Sequence, residues 1–146
     1  MNKYDVSRFL RAQEGTHTAA VRELRNGMKM SHWSWWEIPQ IVGLGWTYTS
    51  QQYAISDLGE SKAFLENATL RAHLLEICEA LLSLETSDAK QVMDSPDHLK
   101  LRSCMTLFSE ADPECDQFRK VLEKYYGGRK DYRTLSILKK QSGRTE

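Results

Sequence analysis

The sequence predicts an all-α domain. Apolar residues recur at three- and four-residue spacing along nearly the whole chain, and strict alternation over six residues is hard to find. Capping residues, glycines and prolines punctuate these periodic segments where helices start and stop. A chain of 146 residues has the length of one domain. The expectation is therefore a compact bundle of eight or nine short helices over residues 4–138, followed by a basic flexible tail, 139–146.

Taken in order, Asp5 is a natural N-cap for a first helix that places Val6, Phe9, Leu10 and Gln13 on one face. Gly15 breaks it, and Thr16 caps a second helix with Ala20, Val21 and Leu24 inward, stopped by Asn26-Gly27. A short helix from Ser31 to Ile38 ends at Pro39. Gly43-Leu44-Gly45 makes a turn, Ser50 caps a segment from Gln51 to Ser56, and Asp57 to Glu66 supplies the next helix. The longest signal runs from Thr69 to Leu84, with Leu70, Leu74, Ile77, Cys78, Leu81 and Leu82 in register. Ser95-Pro96-Asp97 opens a helix to about Ser109 that buries Leu101, Met105 and Phe108. Pro113-Glu114 starts another, carrying Phe118, Val121, Leu122 and Tyr125 to a stop at Gly127-Gly128. Asp131 to about Leu138 forms the last, with Leu135 and Leu138 against the core.

Composition narrows the function classes. Twenty basic and twenty acidic side chains cancel, which argues against nucleic acid as a general partner. Hydrophobic residues at 40% and charged residues at 27% are ordinary for a soluble globular protein and too apolar for disorder. No apolar run is long enough for a membrane span, and MNKYDVSRFLRAQ carries charges where a signal peptide needs apolar residues. The expected compartment is the cytoplasm. Cys78, Cys104 and Cys115 are odd in number and none lies in a C-x-x-C spacing, so no metal site and no cofactor is expected. Charge is uneven along the chain: residues 1–30 carry net +3, 31–118 net −9 and 119–146 net +6. The two ends can attract the middle across the fold, and the basic run ending at Arg144 reads as a solvated tail.

Two stretches carry the chemistry. The first, Lys29 to Gln40, together with Trp46 holds all four tryptophans within fourteen residues. One helix face cannot bury three indoles, so at least one is expected to line a cleft or stand partly exposed. An indole in a cleft is a flat wall for a base or sugar, with one N–H to donate. His32 beside it can exchange protons near neutral pH. The second stretch, Asp97 to Phe108, sets Asp97, Lys100, Ser103 or Cys104, and Leu107 beside the apolar stripe of Leu101, Met105 and Phe108. Small polar groups next to a core stripe are buried hydrogen-bonders or pocket walls. Clustered tryptophans can equally be core, and Asp97 can be a helix cap with Lys100 a surface charge. Dinucleotide-binding, Walker A, nucleophile-elbow and H-E-x-x-H signatures are all missing.

At these two stretches the chain resembles a family of small, mainly helical, chiefly bacterial proteins known as a domain of unknown function, some of which carry the name calpastatin. The family pattern G-x-K-x-S-H-W-x-W-[FWY]-x-[FIL]-P-Q-x-x-G-L-G matches Gly27, Lys29, Ser31, His32, Trp33, Trp35, Trp36, Ile38, Pro39, Gln40, Gly43, Leu44 and Gly45. Its continuation S-x-x-Y-A-I matches Ser50, Tyr53, Ala54 and Ile55. A second pattern, D-x-x-K-x-x-S-S-M-T-L-F, matches Asp97, Lys100, Ser103 and Met105 to Phe108, with Cys104 in place of a serine. A looser third pattern matches Phe118, Leu122, Tyr125 and Arg129, so the resemblance covers about residues 4–138. Trp46 stands where a smaller or basic residue is usual, which alters the mouth of any cleft. The resemblance implies a helical fold and a shared site but no activity, so whether the chain is an enzyme stays open.

Three readings follow. In the first, Ser31, His32, Gln40, Lys100 and Ser103 face one cleft that takes a small, phosphorylated or nucleotide-like molecule. Trp33 or Trp35 stacks a ring, His32 acts as acid or base, and Lys100 holds an anionic group. In the second, an exposed patch around Trp35 and Trp46 docks a partner protein. In the third, both motifs are structural, their polar groups satisfied within the core.

Overall fold

The periodic segments fold into ten helices in a computed structural model that describes residues 4–144. They are α1 (Ser7–Glu14), α2 (His17–Arg25), α3 (Ser34–Glu37), α4 (Tyr48–Gln52), α5 (Leu58–Glu66), α6 (Ala68–Leu82), α7 (Ala89–Met93), α8 (Asp97–Ala111), α9 (Asp116–Tyr126) and α10 (Tyr132–Arg144). Among the described residues the extended backbone pairs only at one isolated parallel bridge, Ile41 to Ile55. None of these helices is long and apolar enough to cross a membrane.

Two fifteen-residue helices organise the rest. α8 packs against α5, α7, α9 and α10, while α6 packs against α1, α2, α5 and α9. Between them runs a chain of rings, with centroids 5.2 Å apart for Phe9–Phe64, 5.1 Å for Phe64–Phe108 and 6.0 Å for Phe108–Phe118. All four are fully buried, and burial of each side chain contributes roughly 1.5–3 kcal/mol. The sulfur atoms of Cys78 and Met105 meet at 3.8 Å inside this core. Burial pushes the Cys78 and Cys104 thiols far up, so both are inert fillers.

The helix count exceeds the expected eight or nine because α7 is only five residues long, too short for a periodic signal. Asp88 caps it, accepting from the backbone N–H groups of Lys90 and Gln91. The segment read as Ser31–Ile38 shortens to α3 because the N–H groups of Met30 and Ser31 are turned to the Glu23 carboxylate instead of into a helix. Thr47, not Ser50, caps α4 by accepting from the Ser50 N–H. α9 opens after Cys115, with Pro113 left in the preceding loop, and ends as expected at Gly127 in the left-handed conformation. α10 continues past Leu138 to Arg144, so most of the segment read as a tail is helical.

The bridge positions the site. Ile55 N–H donates to Gln40 O and Val42 N–H to Ile55 O, both at 2.8 Å, which pins the loop after α3 to the start of α5. Arg8 locks this junction from the other side, donating to Gln52 O at 3.0 Å, Ala54 O at 2.9 Å and Glu60 at 3.0 Å.

Candidate functional site

The tryptophan motif is held in place by one carboxylate. Glu23, on α2, accepts from Met30 N–H at 2.8 Å, Ser31 N–H at 3.0 Å, Ser31 Oγ at 2.6 Å and Trp33 Nε1 at 2.9 Å. Burial alone would raise its pKa, but these donors outweigh it and hold the carboxyl at about 2. Trp33 is fully buried and the ammonium of Lys29 lies 5.0 Å from its ring. The expectation that Trp33 lines the pocket is thereby corrected: its indole N–H belongs to Glu23 and its ring to the core.

Asp97, the first residue of α8, joins the two motifs. Its carboxylate accepts from Lys29 Nζ at 2.7 Å and Lys100 Nζ at 3.3 Å, and Ser34 Oγ lies 3.4 Å away. Burial pushes its pKa up, yet the two lysines pull it below the ordinary value. One carboxylate shared by two ammonium groups leaves a net positive charge. Lys29 is tied down, with Ser31 O as a second acceptor at 2.6 Å. Lys100 is held by longer contacts: besides Asp97, Ser34 Oγ lies at 3.4 Å and the Trp35 ring centroid at 4.3 Å.

Trp35 and Lys100 form a shared wall between two clefts. The larger, about 400 Å³, is lined by Gln40, Ser103, Trp46, Asp131 and Arg133 beside that wall. The second, about 350 Å³, is lined by Ser31, His32 and Asp97 beside it. The two motifs do meet, but the five polar residues expected in one cleft divide between two. Ser31 and His32 are on one side of the wall, Gln40 and Ser103 on the other.

The hydroxyls of the second motif are anchors. Ser103 Oγ donates toward Leu99 O at 3.2 Å and Asp131 Oδ2 at 3.3 Å. Thr106 Oγ1 accepts from Asp131 N–H at 2.8 Å. Asp131 also accepts from Thr134 N–H at 3.0 Å and Thr134 Oγ1 at 2.6 Å, which fixes the start of α10 and the cleft floor. Ser103 is therefore a buried support reaching the cleft edge.

The Gly43-Leu44-Gly45 turn shapes the mouth. Gly43 sits at φ +101°, where a side chain is strained. A Cβ on Gly45 would fall 2.5 Å from Ser50 Oγ, so only glycine lets α4 close onto the turn. Trp46, next in sequence, is 86% exposed.

Sequence reasoning missed Asp131 and Arg133, which precede or open α10 and come to line the same cleft as Lys100 only in the fold. It also missed a polar cluster between α2 and α6. His17, His73 and Glu76 offer metal-ligating atoms that all lie within 4.8 Å of one another. The His73-x-x-Glu76 spacing on one helix face was the only local hint, because His17 lies far away in sequence.

The family described as "Protein of unknown function (DUF1810)" matches residues 3–138. Among solved structures, the chain is similar to the conserved hypothetical protein Rv1873 from Mycobacterium tuberculosis, with 38% identity and a TM-score of 0.91. The match covers 93% of this chain and 97% of that one. A comparison with curated proteins finds no match.

Proposed function

Since the chain belongs to the DUF1810 family of proteins of unknown function, we propose, from the site alone, that the paired clefts bind a small anionic molecule with a flat ring, of phosphorylated or nucleotide-like chemistry. The observation that carries this reading is the Lys100 ammonium held 4.3 Å from the Trp35 ring in the wall common to both clefts. A cation over an indole, with a second cation, Arg133, in the lining of the larger cleft, suits an anionic group attached to an aromatic ring. The ring takes the remaining face of Trp35 or the exposed indole of Trp46, and Gln40 supplies an amide for orientation. His32, in the second cleft, is the group there able to exchange a proton with such a ligand.

A docking surface is the second reading. Trp46 and Tyr48 are 86% and 82% exposed, and covering them would remove apolar surface from water.

Calorimetric titration with ADP separates the two. Measurable binding that Lys100→Ala weakens by about tenfold or more supports the cleft. Absence of binding to ADP, AMP and inorganic phosphate at millimolar concentration overturns it.

A further inference from the structure

Building on the reading of the larger cleft as a site for a nucleotide-like anion, we propose that it selects ribonucleotides over their deoxy counterparts, with the Asp131 carboxylate accepting from a ribose hydroxyl. Several polar groups in the lining are already used by the fold. Ser50 Oγ donates to Thr47 O at 2.8 Å, and Thr47 Oγ1 accepts from Ser50 N–H at 3.0 Å. Ser103 Oγ lies between Leu99 O and Asp131 Oδ2. The Arg133 guanidinium, the Gln40 side-chain amide and the second Asp131 oxygen, Oδ1, have no hydrogen-bond or ion-pair partner among the described residues. The first two can serve an anion directly. A carboxylate oxygen cannot, since it repels an anion and takes only a donor.

Asp131 does its structural work through one oxygen. Oδ2 accepts from Thr134 N–H at 3.0 Å, Thr134 Oγ1 at 2.6 Å and Ser103 Oγ at 3.3 Å. Asparagine caps a helix as well as aspartate does, so these bonds require neither a second oxygen nor a charge. Nor does Asp131 pair with Arg133, two residues further on. A helix cap alone therefore explains Oδ2 and leaves Oδ1, on the wall of a cationic cleft, without a purpose.

Position decides which donor meets Oδ1. Ser103 follows Lys100 by three residues, about one turn of α8, and touches Asp131. The carboxylate thus stands about one helical turn from the Lys100 ammonium, and Arg133 joins the same lining. With the phosphate on these two cations and the ring on Trp35 or Trp46, the sugar lies between them, beside Asp131. Its hydroxyls are donors. A deoxy sugar would leave Oδ1 desolvated and unmatched, which is how a polar site rejects an analogue that lacks one hydroxyl. The exocyclic amine of a base is a donor too, but it projects from the ring end, beyond the sugar.

The test is calorimetric titration of the full chain with ADP and with its 2′-deoxy, 3′-deoxy and 2′,3′-dideoxy analogues. The parent should bind ADP at least about tenfold more tightly than the dideoxy analogue, and the two single-deoxy analogues show which hydroxyl is read. Asp131→Asn keeps an oxygen for the Thr134 cap and offers the cleft an N–H donor instead of an acceptor. It should bind ADP and the dideoxy analogue alike, within about twofold. Parent-like helicity and hydrogen exchange in the first turn of α10 verify that its cap survives. Equal binding of ADP and the dideoxy analogue by the parent would overturn the selectivity while the cleft stands, whatever the variant does. A preference that persists in folded Asp131→Asn would overturn it as well. A loss of affinity on replacing ADP by inosine diphosphate that vanishes in Asp131→Asn would assign Oδ1 to the base amine and overturn the ribose contact. No binding of ADP at all overturns the cleft reading and the selectivity together.

Discussion

Trp33 donates its indole N–H to Glu23 Oε1 at 2.9 Å, and that bond ties the tryptophan motif to α2 rather than to a ligand. The same carboxylate collects three more donors from Met30 and Ser31. The loop that carries His32 and leads into α3, with Trp35, is thus hung from one buried acid. Replacing Glu23 by Gln turns an acceptor of four bonds into a group with one acceptor oxygen, and should cost about 2–4 kcal/mol in urea unfolding.

That acid also sets a pH dependence. Its carboxyl is held at about 2 in the fold, against an ordinary 4.5. The depressed folded value means its contribution, about 3 kcal/mol, is complete above the unfolded value and lost as pH falls from 4.5 toward 2. Chemical denaturation between pH 6 and pH 2 should show this loss in the parent, and Glu23→Gln should flatten it.

The two lysines around Asp97 should behave differently. Lys29 is nearly buried, with its side chain 7% exposed, and makes short bonds to Asp97 and Ser31 O. Lys29→Met should destabilise by about 2–3 kcal/mol. Lys100 makes longer contacts, at 3.3 and 3.4 Å, so Lys100→Met should stay within about 1 kcal/mol of the parent. Thermal melts of the two variants side by side check the contrast. A large loss from Lys100→Met would make it architecture.

Gly45 is constrained by contact rather than by backbone angle. Gly45→Ala brings a methyl against Ser50 Oγ and Cβ, at 2.5 and 2.6 Å before relaxation. It should cost about 1–3 kcal/mol and displace the Trp46 side of the larger cleft. Ser50→Gly in the same chain should restore most of the loss, measured by unfolding and by Trp46 fluorescence.

Asp131 holds the cleft floor through Ser103, Thr134 N–H and Thr134 Oγ1. Asp131→Ala should lower stability by about 1–2 kcal/mol, as loss of a helix cap does. Hydrogen exchange should quicken in the first turn of α10 while α6 keeps its protection.

What was legible in the sequence follows from how local each cause is. Gly127 stops α9 through its own backbone angle, and the 3-and-4 spacing of Leu70, Leu74 and Ile77 marks α6 from its own residues. The all-helical class could therefore be read directly, whereas whether the two motifs meet in one pocket could not, because it depends on how α3 and α8 pack. α7 could not, since five residues make too little periodicity. The burial of Trp33 depends on Glu23, ten residues earlier on another helix. His17 and His73 meet only because α2 packs on α6, and no spacing within either helix announces the pair. Arg133 comes to line the same cleft as Lys100 through the turn from α9 into α10, a tertiary fact.

The cleft assignment is tested most directly by nuclear magnetic resonance of the four indole N–H groups during an ADP titration. Trp33 and Trp36 donate to Glu23 and Thr16, whereas Trp35 and Trp46 line the larger cleft. The expected result is that the Trp35 and Trp46 signals move with saturation while those of Trp33 and Trp36 stay in place, and that Lys100→Ala abolishes the shifts at the same concentration. A Trp35 signal unmoved by millimolar ADP, AMP and phosphate would contradict the cleft as a binding site.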